Sequence, residues 1–162
     1  MAMTMKVEGM DELSAMLRSL GDKAEEVASA ALYPGAGIVA DAFNAATESI
    51  RTEKFRYVPE GQTRLPSEEE KAALRRKTGV AKFRKDGDGV DTIVGIGGQS
   101  GYVMVAGKKK AVRLIARSIN SGTSFMKSQP VYRMAKTRCQ KAAESAIVSK
   151  AEEMYNKIIN GK

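Results

Sequence analysis

From Met134 to Ile158 apolar residues recur at helical spacing: Met134, Ala135, Cys139, Ala142, Ala143, Ala146, Ile147, Met154 and Ile158. This stripe of about thirty residues, opened by Pro130, predicts one long C-terminal helix. Such a helix can bury its stripe only against another layer of structure, so the rest of the chain must supply that layer. Two helices are predicted near the start. The first carries Met10, Leu13, Met16, Leu17 and Leu20, has Asp11 and Glu12 in its first turn where carboxylates suit the helix dipole, and ends at Gly21. The second runs from about Lys23 to Ile50, entered through the capping-box spacing of Asp22 and Glu25, with a mostly small apolar stripe (Val27, Ala31, Ile38, Ala42, Ala45, Ala46, Ile50). Pro34 and Gly35 inside it predict a kink or two abutting helices.

Residues 51–79 change character. Arg51, Lys54, Arg56, Arg64, Lys71, Arg75, Arg76 and Lys77 alternate with Glu53, Glu60 and Glu68–Glu70, and apolar residues are sparse. The stretch reads as an exposed arm, dispensable for folding, with Phe55, Tyr57, Val58, Leu65 and Leu74 as anchors for a neighbouring subunit. Ser67 and Glu70, after Pro66, have capping-box spacing and predict a short helix from Glu68 to about Lys77, stopped by Gly79. Beyond it the period shortens. Val80–Lys85 and Val90–Ile96 flank the turn cluster Asp86–Gly89 and predict a hairpin. Gly97, Gly98, Ser100 and Gly101 make a second turn before an apolar strand, Tyr102–Ala106. Lys108, Lys109 and Lys110 separate that strand from Val112–Ile119, which could be strand or helix because its apolar positions fit neither period cleanly, and Asn120–Gln129 is loop. The expected fold class is α+β: two N-terminal helices, a small antiparallel sheet, and a long C-terminal helix packed across it, in one domain over 1–162. Leu17, Leu20, Ile38, Ile96, Val103, Cys139, Ala143 and Ile147 are expected to be buried together.

The chain has no histidine and one cysteine among 162 residues, which removes the commonest metal ligands, the commonest general base and most nucleophile pairs. No enzyme, cofactor or metal is expected. A G-x-G-x-x-G reading from Gly95 puts Ser100 in the last glycine's place and follows a hairpin strand, so a plain turn is the better reading. Asp86, Asp88 and Asp91 resemble a calcium loop, but that register puts Val90 and Gly97 where ligands belong. Cys139 lies on the apolar stripe and reads as a small core residue. No window approaches the ~18 consecutive apolar residues of a membrane span. The first residues carry no visible secretory signal, and synthesis in a reducing cytosol is expected.

Charge is distributed unevenly. Between Asp91 and Glu144 there is no carboxylate side chain, while Lys108, Lys109, Lys110, Arg113, Arg117, Lys127, Arg133, Lys136, Arg138 and Lys141 give ten cations. With a net charge of +8, the remainder is therefore acidic by two (8 − 10 = −2). A molecule polarised in this way can hold DNA phosphates or stack on copies of itself, acidic zone to basic zone. Lys108, Lys109, Lys110, Arg113, Arg117, Lys127 and Arg133 are the candidate subunit or DNA contacts. No helix-turn-helix, zinc-finger or RNP pattern accompanies them, so sequence-specific base reading is not expected.

The order of parts resembles a known family. Lys6, Val7, Glu8, Gly9, Met10, Asp11, Glu12 and Leu13 leading into paired helices, Thr78–Gly79 before the first strand, and Gly122–Thr123–Ser124 followed by Gln129–Pro130 and Tyr132 before the last helix are similar to the head-tail joining, or tail-completion, proteins of lambda-like siphophages and prophages. The likeness spans essentially the whole chain. Where the family has a Tyr-Ala-Pro segment and a Glu before the Gly-Thr loop, this chain has Arg117, Ser118, Ile119 and Asn120. The resemblance implies a structural protein made in the host bacterial cytoplasm and placed in the virion neck. It would form a ring, expected as a hexamer, that joins adjacent neck, connector and tail-tube proteins, with packaged DNA passing through the lumen. The alternative is a non-specific nucleic-acid-binding protein using the basic tract 108–141.

Overall fold

A computed structural model describes residues 2–3, 15–86, 89–96 and 101–160. The expected start of the first helix (10–14), the opening motif 6–13, the tip of the hairpin (87–88) and the glycine turn 97–100 lie outside the described residues.

Two long helices carry the fold, because both present buried residues at intervals of four. In α2 (Ala24–Glu48) these are Val27, Ala31, Gly35, Val39 and Phe43, and in α5 (Val131–Ile159) they are Cys139, Ala143, Ile147 and Ala151. Rows at i, i+4 are the ridges that interlock when helices pack, and small residues on both let the backbones come close. A Cβ added at Gly35 would stand 2.4 Å from Ile147 Cγ1 and 3.1 Å from the Ala143 carbonyl oxygen. The helix runs on through Pro34 from Ala24 to Glu48, so two abutting helices are replaced by one. The hydrogen bond lost at the proline is offset by burial on both sides of it, at Ala31 and at Gly35–Ala36.

Ahead of α2, residues 15–18 are helical (α1) and are followed by a 3-10 turn, Gly21–Lys23. Gly21 has a φ of +55°, as expected of the residue that ends the first helix. Met16, Leu17 and Leu32 pack on Ala31, Ile147 and Ala151 as a second, smaller cluster.

The remaining elements sit on α2 and on each other. α3 (Glu68–Lys77) starts with the capping box predicted for it: Glu70 N–H donates to Ser67 Oγ at 3.3 Å, and Ser67 N–H donates to Glu70 Oε2 at 2.9 Å. It passes without a gap into β2 (Thr78–Val80), ending at Thr78 rather than Gly79. The hairpin is bent. β2 pairs antiparallel with β5 (Val94–Ile96), and β3 (Arg84–Asp86) with β4 (Gly89–Asp91). Three residues, Ala81–Phe83, oppose two, Thr92–Ile93, between the ladders. That single extra residue is a bulge, and it re-aims the outer half of the hairpin. β1 (Ala2–Met3) pairs antiparallel with β5 on the side away from β2.

A second, two-stranded sheet joins β6 (Tyr102–Val105) to β7 (Lys108–Ala111) through Ala106 and Gly107, whose φ values of +49° and +74° are those of a mirror-image two-residue turn. The three lysines therefore form a strand instead of separating two. Val112–Ser121 is helix (α4), burying Val112, Ile115, Ala116 and Ile119.

The molecule is α+β, as expected, with the strands among the described residues divided between separate small antiparallel sheets in place of one. α2 is the shared layer, touching α5 as well as β2, β4 and β5, and α2 more than the sheet is the partner of α5. Of the expected core, Ile96, Cys139, Ala143 and Ile147 are buried, while Leu17, Leu20, Ile38 and Val103 are half-buried at its margin. No helix among the described residues is long and apolar enough to cross a membrane.

Candidate interaction cleft and basic face

The chain from 51 to 67 lies between helices α2 and α3 with a turn at 60–61 and is held by polar bonds. The Gln129 side chain pairs with Arg51 as a strand would: Arg51 N–H donates to Oε1 and Nε2–H donates to the Arg51 carbonyl, both at 2.9 Å. Arg64 N–H donates to the Phe125 carbonyl at 3.0 Å, and Lys127 N–H to the Arg64 carbonyl at 2.9 Å.

At the centre is an ion cluster that composition does not reveal. Arg64 and Glu70 are 4% and 1% exposed, and the guanidinium meets both carboxylate oxygens at 2.7 Å. Lys110 Nζ lies 3.1 Å from Glu70 Oε1. Burial alone would raise the Glu70 pKa. The Arg64 guanidinium, the Ser67 amide and Lys110 outweigh it and hold the carboxyl below its usual 4.5. A carboxyl with a depressed folded value contributes stability above pH 4.5 that is lost as the pH falls through the folded value. Glu70→Ala leaves Arg64 buried and unpaired, so it should cost about 3–5 kcal/mol in urea unfolding at pH 7. The deficit should shrink below pH 4.

The arm is therefore largely part of the fold. Leu74, expected as a subunit contact, is fully buried in the main core beside Ala73, because α3 packs on both α2 and α4. Leu65 and Val58 are half-buried, and Phe55 packs against the core. Tyr57 remains 73% exposed.

Three arm residues and two lysines expected as separate sites come together. A cleft of about 260 Å³ is lined by Phe55, Tyr57 and Val58 on one side, by Val105, Ala106, Lys108 and Lys110 on the other, and by Arg56, Arg64 and Phe125. Alternation along β7 explains the grouping. Lys108 lies 5.6 Å from the Tyr57 ring centroid and Lys110 5.3 Å from that of Phe55, while Lys109 turns to the opposite face, 4.8 Å from Tyr102. Phe55 and Tyr57 meet edge to face at 5.5 Å, and Arg64 lies 4.7 Å from the Phe55 ring.

The other predicted cations do not join the cleft. Arg113 and Arg117 are exposed on α4, Lys127 in the loop, and Arg133 in the first turn of α5. Lys108 and Lys109 are exposed, whereas Lys110 is partly buried on Glu70. Reversing Lys108 and Lys109 to Glu should leave the melting temperature nearly unchanged, while Lys110→Glu should lower it by several degrees, since it sets a like charge against a buried carboxylate. Circular dichroism melts of the two variants check this.

The Gly-Thr-Ser loop is an internal brace. Gly122 has a φ of +77°, and a Cβ there would come 3.1 Å from Ser128 Cβ. Thr123 Oγ1 accepts from the Met126 and Phe125 amides at 3.1 and 3.3 Å; Ser124 is exposed. Gln129 N–H donates to the Ile119 carbonyl at 2.7 Å, and Pro130 is the N-cap of α5. Asn120, expected as the start of a loop, lies in α4, is buried, and accepts from Arg133 N–H at 3.2 Å. Tyr132, also buried, shares a 2.9 Å hydrogen bond with Thr47, and burial pushes its phenol up to about 12.

Among the described residues no group of His, Cys, Asp and Glu could hold a metal. Cys139 is buried, and desolvation raises its thiol pKa, which suits a core residue. Comparison with protein-family models, with curated proteins and with solved structures finds no match for this chain.

Proposed function

We propose that this chain is a structural neck protein of a siphophage or prophage, of the head-tail joining or tail-completion kind. Its copies close into a ring, six being the expected number, between connector and tail tube, and packaged DNA passes through the opening. The observation that carries the reading is the position of the motif residues in the fold. Thr78 and Gly79 open the strand that follows α3, and Gly122 to Pro130 form the braced joint before the long last helix, in the chain order that the resemblance implies. The charge pattern supports the same reading. Arg113, Arg117, Lys127 and Arg133 are exposed in a stretch without carboxylates, available to an acidic neighbour or to DNA in the lumen.

Size-exclusion chromatography with light scattering should find a discrete species near six times the 17.5 kDa chain, alone or with its neck partners, and negative stain should show rings. A small species at every concentration that binds duplex DNA with a steep salt slope would replace this reading with that of a non-specific nucleic-acid-binding protein.

A further inference from the structure

One wall of the cleft has main-chain groups to spare. Residues 54–58 are extended, and among the described residues their main chain makes no backbone hydrogen bond. The nearest such bonds flank them, Glu53 N–H to the Pro66 carbonyl at 2.9 Å and Gln62 N–H to that of Pro59 at 3.1 Å. Facing them are Val105, Ala106 and the lysines of β7.

We propose that this cleft docks an extended, carboxylate-bearing segment of a partner protein. The segment pairs its main chain with residues 54–58, sets an acidic side chain against Lys108 and Lys110, and lays an apolar one on Val58 and Phe125.

Charge favours such an occupant. Four cations line the cleft: Arg56, Arg64, Lys108 and Lys110. The carboxylates bonded to them are Glu53 on Arg56 and Glu70 on Arg64 and Lys110, and Glu69 accepts from the Ala106 amide of the cleft lining at 3.3 Å, which leaves a surplus of one (4 − 3 = 1). Lys108 is exposed and makes no salt bridge among the described residues, so it is the cation best placed to meet a new carboxylate.

The unbonded main chain of 54–58 favours a peptide over nucleic acid, since only a peptide can pair with it as a strand does. Of the rings, Phe55 is flanked by Arg64 and Lys110 and meets Tyr57 edge to face, while Tyr57 stays 73% exposed beside Lys108. Phe125, 47% exposed, adds an apolar surface. At about 260 Å³ the cleft is smaller than a typical small-molecule site of roughly 300–1,000 Å³, so it suits one or two side chains of a longer segment. Unpaired extended backbone bordered by side-chain pockets is how strand-addition sites work: the main chain supplies affinity and the pockets choose the sequence. The cleft lies within one chain, so the inference does not depend on ring assembly.

The test is an amide-resolved NMR titration of the full chain with three probes: a blocked peptide of about eight alternating Glu and Leu residues, its Gln–Leu counterpart, and an oligothymidylate of ~12 nucleotides. The Glu–Leu peptide should saturably shift the amides of residues 54–58 and 105–110, with the Gln–Leu peptide about ten-fold weaker. Lys108→Glu should weaken the Glu–Leu peptide about ten-fold, and Lys23→Glu, the same charge change at an exposed turn, less than about two-fold. Absence of saturable shifts at those amides, equal losses in the two variants, or tighter binding of the oligothymidylate to the same amides would overturn the proposal.

Discussion

Deleting Glu53–Lys77 and bridging the ends with a short Gly-Ser linker should abolish the cooperative thermal transition. The deletion removes Leu74 from the main core along with the buried Ala73, and truncating a buried leucine alone costs about 2–5 kcal/mol. It removes Arg64 and Glu70 together, so no buried charge is stranded at those positions, but Lys110 loses the carboxylate on which it rests. It also uncaps α2. Lys71 Nζ donates to the Glu48 and Ile50 carbonyls at 2.7 and 3.2 Å, and Arg75 forms a two-pronged pair with the Glu48 carboxylate at 2.6 and 2.7 Å. The exposed Arg75 pair adds little by itself, whereas the faces of α2 and α4 on which α3 packs would be wetted. Against a total stability of about 5–15 kcal/mol for a domain, these losses exceed what the rest can absorb. Calorimetry and near-UV circular dichroism would read the outcome. A sharp transition within a few degrees of the parent would restore the arm to the status of a dispensable appendage.

The sequence suggested such an appendage because counting apolar residues is blind to a core made from charge. Between Arg51 and Lys77 the buried side chains include Arg64, Pro66, Ser67 and Glu70, three of which hydropathy scores as solvent-exposed. The capping-box spacing of Ser67 and Glu70 was the legible trace, but it announces a helix start and says nothing of an arginine six residues earlier. The triple lysine misled for a related reason. Lysine is a poor strand former, yet a two-residue turn at Ala106–Gly107 fixes the register of β7, and Lys108 and Lys109 lie by exposed tyrosine rings with their charges near water while Lys110 rests on Glu70. In α4 the helical period was hidden by Leu114, which is apolar but exposed, and it emerges once Ala116 takes its place in the 112, 115, 116, 119 stripe. The long helices, the bent hairpin and the α3 cap were legible because each is written in local periodicity or local capping. The cleft was not, since it joins residues 55–58 to residues 105–110 and 125 across three separate connections.

The substitution Ile147→Asp should destabilise the protein by about 4 kcal/mol or more at neutral pH. Ile147 is 3% exposed and fills the crossing of α2 and α5, with Ala31 and Ala151 beside it and Met16, Leu17 and Leu32 around them. That cluster is made of apolar side chains, so a carboxylate there would lose its water without gaining a partner. Such a carboxyl has its folded pKa raised. Its neutral form is favoured in the folded state, so the stability gained on protonation is complete below the unfolded value near 3.9 and disappears as the pH rises through the folded one. The Asp variant should therefore recover part of its deficit on acidification from pH 7 to about 5, a window in which the parent's Glu70 cluster keeps its full contribution, since that is lost only below 4.5. Gly35 supplies an independent check on the same crossing. Gly35→Ala should gain close to 1 kcal/mol of helix propensity and lose about 1–3 kcal/mol to overpacking, because its Cβ would fall 2.4 Å from Ile147 Cγ1 and 2.6 Å from Cδ1. In an Ile147→Ala background the obstructing atoms are gone and only the propensity gain and the residual contact with the Ala143 carbonyl remain, so the two changes should couple by about 1 kcal/mol or more. Urea unfolding of the four-member cycle at pH 7 gives that coupling directly. Additive effects would mean that α2 and α5 cross somewhere other than at Gly35 and Ile147.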